Sequence, residues 1–170
     1  MIDEKPYKII ERYVAERSML SDSVILTELT ELAPLRDAGD PKWKTREYWE
    51  DEAYRFVALA DLVAKRKLRD GVRLLLERAC FGDPGEIMRG LRHPCEAAFN
   101  PDWAGLAAVC MPLATSARPG TRFWAIDQLT ILEDPTAEAV FQRALSDELP
   151  DVRDTAAKGI ERLKRKKWNA

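Results

Sequence analysis

The chain has 170 residues, of which 46% are hydrophobic and 33% charged, with a formal net charge of −2. This length is sufficient to bury a continuous core, and the 8 glycines and 10 prolines exclude collagen-like and disordered classes. The longest uncharged stretch, residues 103–117, is 15 residues long. It is shorter than the about 20 residues that a bilayer-spanning helix needs. Charged residues at positions 3–5 argue against an export signal, so we expect a cytoplasmic protein without membrane contact.

Hydrophobic residues recur along the chain at steps of three and four, which is the period of amphipathic helices. No sustained alternation of polar and apolar residues indicates a strand. The sequence therefore predicts an all-α fold. The roughly nine predicted helices cover residues 5–17, 21–34, 44–66, 68–81, 84–98, 101–116, 119–133, 135–146 and 150–167.

Four helices are expected to begin at an aspartate or asparagine that precedes proline. The side-chain oxygen can accept a free backbone N–H, and proline fits the first helical turn. The four residues are Asp40, Asp83, Asn100 and Asp134. We treat residues 1–170 as a single domain in which residues 1–40 form N-terminal capping helices. The best candidate for a joint is residues 37–44.

The C-terminal third contains an internal repeat. Residues 119–132 align with residues 150–163 at a constant offset of 31. The matched pairs are Pro119 and Pro150, Arg122 and Arg153, Ala125 and Ala156, and Leu132 and Leu163. Repeats of this length are typical of stacked two-helix units.

The stretch from Asp134 to Leu163, with Asp147, Arg153 and Ala156 at their positions, resembles a HEAT-like repeat of the short, bacterial, lyase-associated type. The match covers about residues 119–163, with the best-matched repeats within residues 119–167. The resemblance implies an armadillo-type fold, an α-α superhelix or solenoid of stacked helical hairpins. It also implies that Asp147 and Arg153 belong to a hydrogen-bonded ladder along the stack. Ser116 stands six residues before Arg122, where the ladder would require an acid.

No catalytic arrangement is recognisable. His93 is the only histidine, and as a near neighbour of Cys95 on one helix it does not face that thiol. We interpret His93 as a surface residue and the three cysteines, Cys80, Cys95 and Cys110, as reduced core thiols. We therefore expect that the chain is not an enzyme and that it binds no metal and no cofactor.

Acidic residues crowd the start of the third predicted helix: Glu47, Glu50, Asp51 and Glu52. Acids at a helix N-terminus favour the helix dipole, and this is one explanation of the cluster. The other is that the cluster meets a basic patch on a partner protein, such as the substrate cleft of a nuclease.

Helix 119–133 is apolar on nearly all sides, so Trp124 is either a core residue or part of an exposed contact patch with Ile131. Trp49 and Trp103 lie on apolar faces and are interpreted as core. Arg122, Trp124, Asp127 and Arg153 are the further candidates for contact with a partner.

The family that the chain resembles includes scaffolds, inhibitors, toxin-immunity proteins, chromophore lyases and DNA glycosylases. A stack of helical units exposes an extended surface suited to large partners. We expect a non-enzymatic protein-binding module, most concretely a bacterial immunity protein that occludes a toxin or effector domain. The alternatives are a DNA glycosylase, with Arg122, Trp124, Asp127 and Arg153 around an extruded base, and a chromophore lyase-like subunit. The acidic balance of the chain does not favour nucleic acid.

Overall fold

The computed structural model of the protein describes residues 5–37, 39–81 and 86–168. Within these ranges the regular elements are helices and no strand occurs, which confirms the predicted all-α fold. The α-helices are α1 (Pro6–Arg17), α2 (Asp22–Glu31), α3 (Arg46–Tyr48), α4 (Tyr54–Arg66), α5 (Arg69–Arg78), α6 (Glu86–Phe99), α7 (Trp103–Leu113), α8 (Pro119–Leu132), α9 (Glu138–Ala144) and α10 (Pro150–Trp168). Over the same ranges, no helix combines the length and the apolar character that a membrane crossing requires.

Short non-α segments complete the helical path. Pro41–Lys44 and Pro135–Ala137 are 3₁₀ turns, and Trp49–Ala53 is a π-helical turn between α3 and α4. The predicted helix 44–66 is therefore helical over residues 46–66, with wider winding at Trp49–Ala53, while residue 44 ends a separate 3₁₀ turn and Thr45 is not helical.

Two of the four predicted caps are confirmed. Asp40 accepts the N–H of Lys42 at 2.8 Å, and Asp134 accepts the N–H of Thr136 at 2.8 Å. Asp83 lies outside the described residues. The prediction for Asn100 was wrong, because α7 begins two residues later and Asp102 caps it by accepting the N–H of Gly105 at 3.0 Å.

The chain forms two compact units, residues 1–100 and residues 101–170. In the first unit α4 is the central helix and packs against α1, α2, α5 and α6. Its core side chains are fully buried and include Phe56, Leu59, Ala60 and Val63. The predicted joint at residues 37–44 lies inside this unit, where Asp37 accepts the N–H of Phe81 at 2.6 Å.

Arginine side chains hold the helix ends of the first unit together. Arg17 and Arg55 both donate to Glu28, at 2.8 and 2.7 Å, and so tie α1 and α4 to α2. Arg78 donates to the carbonyls of Thr30 and Leu32 at 2.6 and 3.0 Å, which closes the C-terminal end of α2. Charge-assisted bonds of this kind are stronger than neutral ones, so the frame of the unit is well fixed.

Two helices end on residues with a left-handed backbone. Lys67 after α4 has φ 55°, and Glu133 after α8 has φ 51°. At the first of these ends the N–H of Leu68 donates to the carbonyl of Val63 at 3.0 Å, a bond that satisfies a terminal carbonyl. Glycine is the residue that usually adopts this conformation.

In the second unit α8 packs against α7 and α10, and α9 packs against α10. Ala125 and Ala156, which are equivalent in the repeat, are both fully buried. Thr130 Oγ1 donates to the carbonyl of Thr155 at 3.3 Å, so a side chain of α8 reaches the α10 backbone next to Ala156. The small alanine side chain permits this close approach of the two helices.

Gly159 in α10 is closed off by the ring of Phe141. A Cβ atom at this position would lie 2.7 to 2.9 Å from three ring atoms. We expect Gly159→Ala to lower the free energy of unfolding by about 1 kcal/mol. The steric cost of about 1–3 kcal/mol exceeds the helix-propensity gain of about 1 kcal/mol. Urea unfolding followed by circular dichroism measures the change. Adding Phe141→Leu should recover part of the loss, and a more stable single variant would contradict the close packing of Phe141 on Gly159.

Candidate functional site

The predicted acidic cluster lies around the π-helical turn of the first unit. Glu47 is exposed and Glu52 is partly exposed. The side chains of Glu50 and Asp51 lie outside the part of the chain that the structure describes. Glu47 and Glu52 line one pocket of about 170 Å³, together with Lys42, Thr45 and Tyr48. We call this pocket the acidic pocket.

The π turn explains how two acids five residues apart share a pocket. On a regular α-helix of 3.6 residues per turn, side chains five positions apart point about 140° away from each other. In a turn closed by i→i+5 bonds the winding is wider, which brings residues five positions apart closer to the same side. Glu52 lies in this turn, where the N–H of Tyr54 donates to the carbonyl of Trp49, and Glu47 lies in α3 just before it. Wide turns of this type occur often at functional sites.

The wider winding also changes the surroundings of Trp49. The extra residue rotates the segment before the turn relative to the buried face of α4. Trp49 is accordingly partly exposed and does not belong to the fully buried core, so the prediction of a core residue was wrong. Its ring packs at a centroid distance of 5.8 Å from Tyr48 and 5.9 Å from Tyr54. These aromatic contacts stiffen the wall beside the acidic pocket.

Arg36 positions one side of the acidic pocket. Its Nη1 donates to Asp40 at 2.9 Å, and its Nε lies 3.9 Å from a carboxylate oxygen of Glu52. Its backbone N–H donates to the hydroxyl of Tyr48 at 3.2 Å. The N–H of Lys42 and the guanidinium of Arg36 lower the pKa of Asp40. Arg36 was missed by sequence reasoning, because its partners are brought to it by the loop and no helical spacing relates them.

The second unit contains an ion pair between Arg122 and Asp147, which we call the rung. Arg122 donates from Nε to Oδ2 of Asp147 at 2.6 Å and from Nη2 to Oδ1 at 3.1 Å. Its Nη1 donates to the carbonyl of Ser116 at 2.8 Å, and Nη2 also reaches Glu148 at 3.0 Å. The acid that Arg122 binds thus lies 25 residues later in the chain, in the turn before α10.

The rung sets the ionisation of Asp147. Burial alone would raise the pKa of this carboxyl group, but the bonds from Arg122 and from the N–H of Leu149 outweigh burial and lower it. The bond to Asp147 raises the pKa of Arg122 in turn. Both side chains are mostly buried, with 12% and 10% of their surface exposed, so the pair is screened less than a surface pair.

Arg153 repeats the backbone contacts of Arg122. Its Nη1 donates to the carbonyls of Asp147 at 2.7 Å and Glu148 at 3.0 Å, which are six and five residues earlier. Arg122 makes the same two kinds of contact, to Ser116 at 2.8 Å and Ala117 at 3.4 Å. The offset of 31 in the sequence is therefore also an equivalence of hydrogen bonds.

The structure decides between the two interpretations of Trp124 and contradicts the one made for Trp103. Trp124 is 1% exposed and packs edge-on against Phe123 at 5.5 Å, so it is a core residue and is not available to a partner. Trp103 is 40% exposed, so the prediction that it belongs to the core was wrong. It lies at the start of α7, where one side of the helix is uncovered.

The residues considered for a DNA glycosylase do not form an open site. Trp124 is buried and Arg122 is occupied by the rung. Asp127 is partly buried, on the same helix. An extruded base needs an accessible aromatic surface, and this set does not offer one.

An exposed apolar group that the sequence analysis did not identify lies at the turn between α1 and α2. Met19 is 91% exposed, and Leu20 and Val24 are also exposed. Arg66 fixes this turn by donating to the carbonyls of Ser18 at 2.6 Å and Leu20 at 2.7 Å. A fixed apolar projection is a feature of protein contact surfaces. Its short run of apolar residues gave no signal, since it resembles an ordinary helix boundary.

The described cysteine and histidine side chains match the structural interpretation. His93 is exposed and Cys95 is buried, so they form no dyad. Among the described residues, no three His, Cys, Asp or Glu side chains are grouped as metal ligands.

All three thiols are buried, and burial raises the pKa of Cys110 to about 12. We expect a thiol reagent at mildly alkaline pH to label none of them rapidly in the native protein, because burial keeps the reagent from all three and also suppresses the thiolate of Cys110. The same reagent should label all three in denaturant. Rapid labelling of one cysteine in the native protein would contradict its burial.

A scan of protein-family models, a search of the curated proteins and a search of the solved structures gave no match for this chain. Its function is therefore inferred from its own residues.

Proposed function

We propose that the chain is a non-enzymatic protein-binding module of HEAT-like units, and that it inhibits its partner by covering a basic surface. The observation that carries this proposal is the shared pocket of Glu47 and Glu52, in which two carboxylates converge on one opening. The equivalent contacts of Arg122 and Arg153 support stacking of repeated two-helix units. Such stacks offer broad surfaces to large partners.

The acidic pocket is suited to the end of a lysine or arginine side chain. Among the described residues that line it, the two carboxylates of Glu47 and Glu52 outnumber the one cation, Lys42. Arg36 lies beside Glu52 and holds Asp40, and this fixes the pocket wall before a partner arrives. Fixed groups lose less conformational entropy on binding than mobile ones. A partner with a basic active-site cleft would be attracted and then blocked.

In its most specific form, the proposal describes a bacterial immunity protein that acts in the cytoplasm on a toxin or effector domain. The apolar turn formed by Met19, Leu20 and Val24 supplies a second kind of contact in the same unit. Interfaces commonly combine an apolar anchor with charged groups that direct association.

The test compares partner capture by the wild-type chain and by the double variant Glu47→Lys/Glu52→Lys. Both tagged chains are expressed in the source organism, and co-purified proteins are quantified by mass spectrometry. We expect the partner to be recovered at least about tenfold less with the double variant, because like charges now face each other. The recovered partner should be a protein whose activity the wild-type chain abolishes in a purified assay.

Glu96→Lys is the matched control. Glu96 is an exposed acid in α6 of the same unit, and the structure gives it no ion pair with another described residue. This variant should capture the partner as the wild type does. Equal capture by the double variant, with its helical content retained, would refute the role of the acidic pocket.

A further inference from the structure

The rung supplies a template for a carboxylate-binding site within the same unit. In Arg122 the three guanidinium nitrogens have separate tasks: Nη1 holds a backbone carbonyl, while Nε and Nη2 hold the carboxylate of Asp147. This two-point contact uses the planar geometry that arginine shares with carboxylates.

Arg153 has the contacts to backbone carbonyls but lacks the two-point contact with a carboxylate. Its Nη1 is held by the carbonyls of Asp147 and Glu148, at 2.7 and 3.0 Å. Within residues 5–37, 39–81 and 86–168, its Nε and Nη2 form no hydrogen bond or ion pair. The side chain is partly buried, so its guanidinium is already oriented.

The side of α10 next to Arg153 is open. Position 126 in α8 is a buried isoleucine, and its equivalent in α10, Ala157, is exposed. Thr130 is buried against α10, and its equivalent, Glu161, is exposed. The face that α8 uses to receive α10 is thus uncovered in α10.

The guanidinium of Arg153 selects the occupant. Five of the seven bases of α10 lie at its C-terminal end, at residues 162 and 164–167, and the acids Asp151 and Asp154 flank Arg153. The attraction at this edge therefore comes from Arg153 itself, whose two parallel N–H donors match the two oxygens of a carboxylate.

We infer that the Nε–Nη2 edge of Arg153 binds an aspartate or glutamate carboxylate of a partner protein, in the way that Arg122 binds Asp147. The inference deepens the proposed function, since it names a second contact and its chemistry on the same protein-binding module. The occupant is an acidic turn on the partner surface, similar to the turn at residues 146–149 that Arg122 holds.

The experiment uses the full chain labelled with ¹⁵N and follows the Nε–H signals of its arginines by NMR. The probe is a capped peptide with the sequence of residues 145–151, which contains Asp147 and Glu148. The control peptide has asparagine and glutamine at those two positions. Arg153→Gln identifies the Arg153 signal.

The acidic peptide should shift the Arg153 signal saturably at millimolar concentration, and the control peptide should not. The Arg122 signal, already bonded to Asp147, should stay in place. Arg153→Lys retains the charge but not the two-point contact, and backbone amide shifts should then report binding about tenfold weaker or more.

Absence of a saturable Arg153 shift, or an equal shift with the neutral peptide, would overturn the inference. A shift that depends on protein concentration without peptide, with dimers seen in sedimentation, would also overturn it, because a second copy would then supply the carboxylate. The peptide assay needs no captured partner. The two tests are therefore independent. Arg153 can bind the peptide even if the acidic pocket captures no partner, and the acidic pocket can capture a partner even if Arg153 binds no peptide.

Discussion

Replacing Ala156 with aspartate should lower the thermal unfolding midpoint of the protein by roughly 6–12 °C, which corresponds to about 3 kcal/mol for a chain of this size. Ala156 is fully buried in α10. The adjacent carbonyl of Thr155 accepts the hydroxyl of Thr130 from α8, so the two helices leave no space for a carboxylate or its hydration. Burial of an unpaired charge is among the few single changes with effects this large. Differential scanning calorimetry measures the midpoint.

Ala157→Asp is the matched control, since the same change is made one position along the same helix. Ala157 is exposed, and its carboxylate would remain in water. We expect this variant to shift the midpoint only slightly, by the small cost of aspartate within a helix. If both variants unfolded at the wild-type temperature, the packed face of α10 would have been assigned wrongly.

Loss of the rung should have an effect of similar size. We expect Arg122→Gln to lower the free energy of unfolding by about 3 kcal/mol at neutral pH, because it leaves Asp147 mostly buried without its cation. Arg122→Lys should be intermediate, because it keeps the charge but loses the two-point contact. Urea unfolding gives the values. Arg143→Gln removes an exposed arginine of α9 and should change the free energy of unfolding little, which separates loss of the rung from loss of charge.

The cost of Arg122→Gln should also depend on pH. The pKa of Asp147 is lowered in the folded chain below its ordinary value of 3.8. The stabilisation from this carboxylate is therefore fully present above the unfolded value and is lost as the pH falls through the folded pKa. Without Arg122, burial raises the pKa of Asp147 in the variant, so the difference between wild type and variant should begin to shrink above the ordinary value of 3.8 and continue to shrink as the pH falls through the folded pKa of the wild type. A difference that stays constant from neutral pH down to about pH 3 would show that Asp147 is not the group stabilised by Arg122.

The sequence predicted those features that depend on local periodicity. Apolar residues at helical spacing located each helix. The offset of 31 identified Arg122 and Arg153 as equivalent positions, and both donate to the carbonyl six residues earlier. It did not predict the acid that Arg122 binds, because that contact joins successive units. The repeat that contains Arg122 does not contain its partner Asp147, so comparing the two repeats does not reveal the bond.

Whether an aromatic side chain is buried depends on the neighbouring helices, which a local sequence pattern does not identify. Trp124 and Trp103 both lie in helices that are apolar on most sides, so neither helix has a clear polar face. Trp124 is covered because α8 receives other helices on several sides, and Trp103 is partly uncovered at the start of α7. The acidic pocket had a similar limit, because the π turn that brings Glu47 and Glu52 together has no residue signature.

The left-handed residues that follow α4 and α8 have a consequence for engineering. Lys67 and Glu133 adopt a backbone conformation that disfavours their side chains, so the tertiary contacts around them must impose the two corners. Asparagine tolerates this conformation better than either residue. Both corners lie outside the acidic pocket and the Arg153 edge, and each is a place where the molecule could be made more resistant to heat without altering what it recognises.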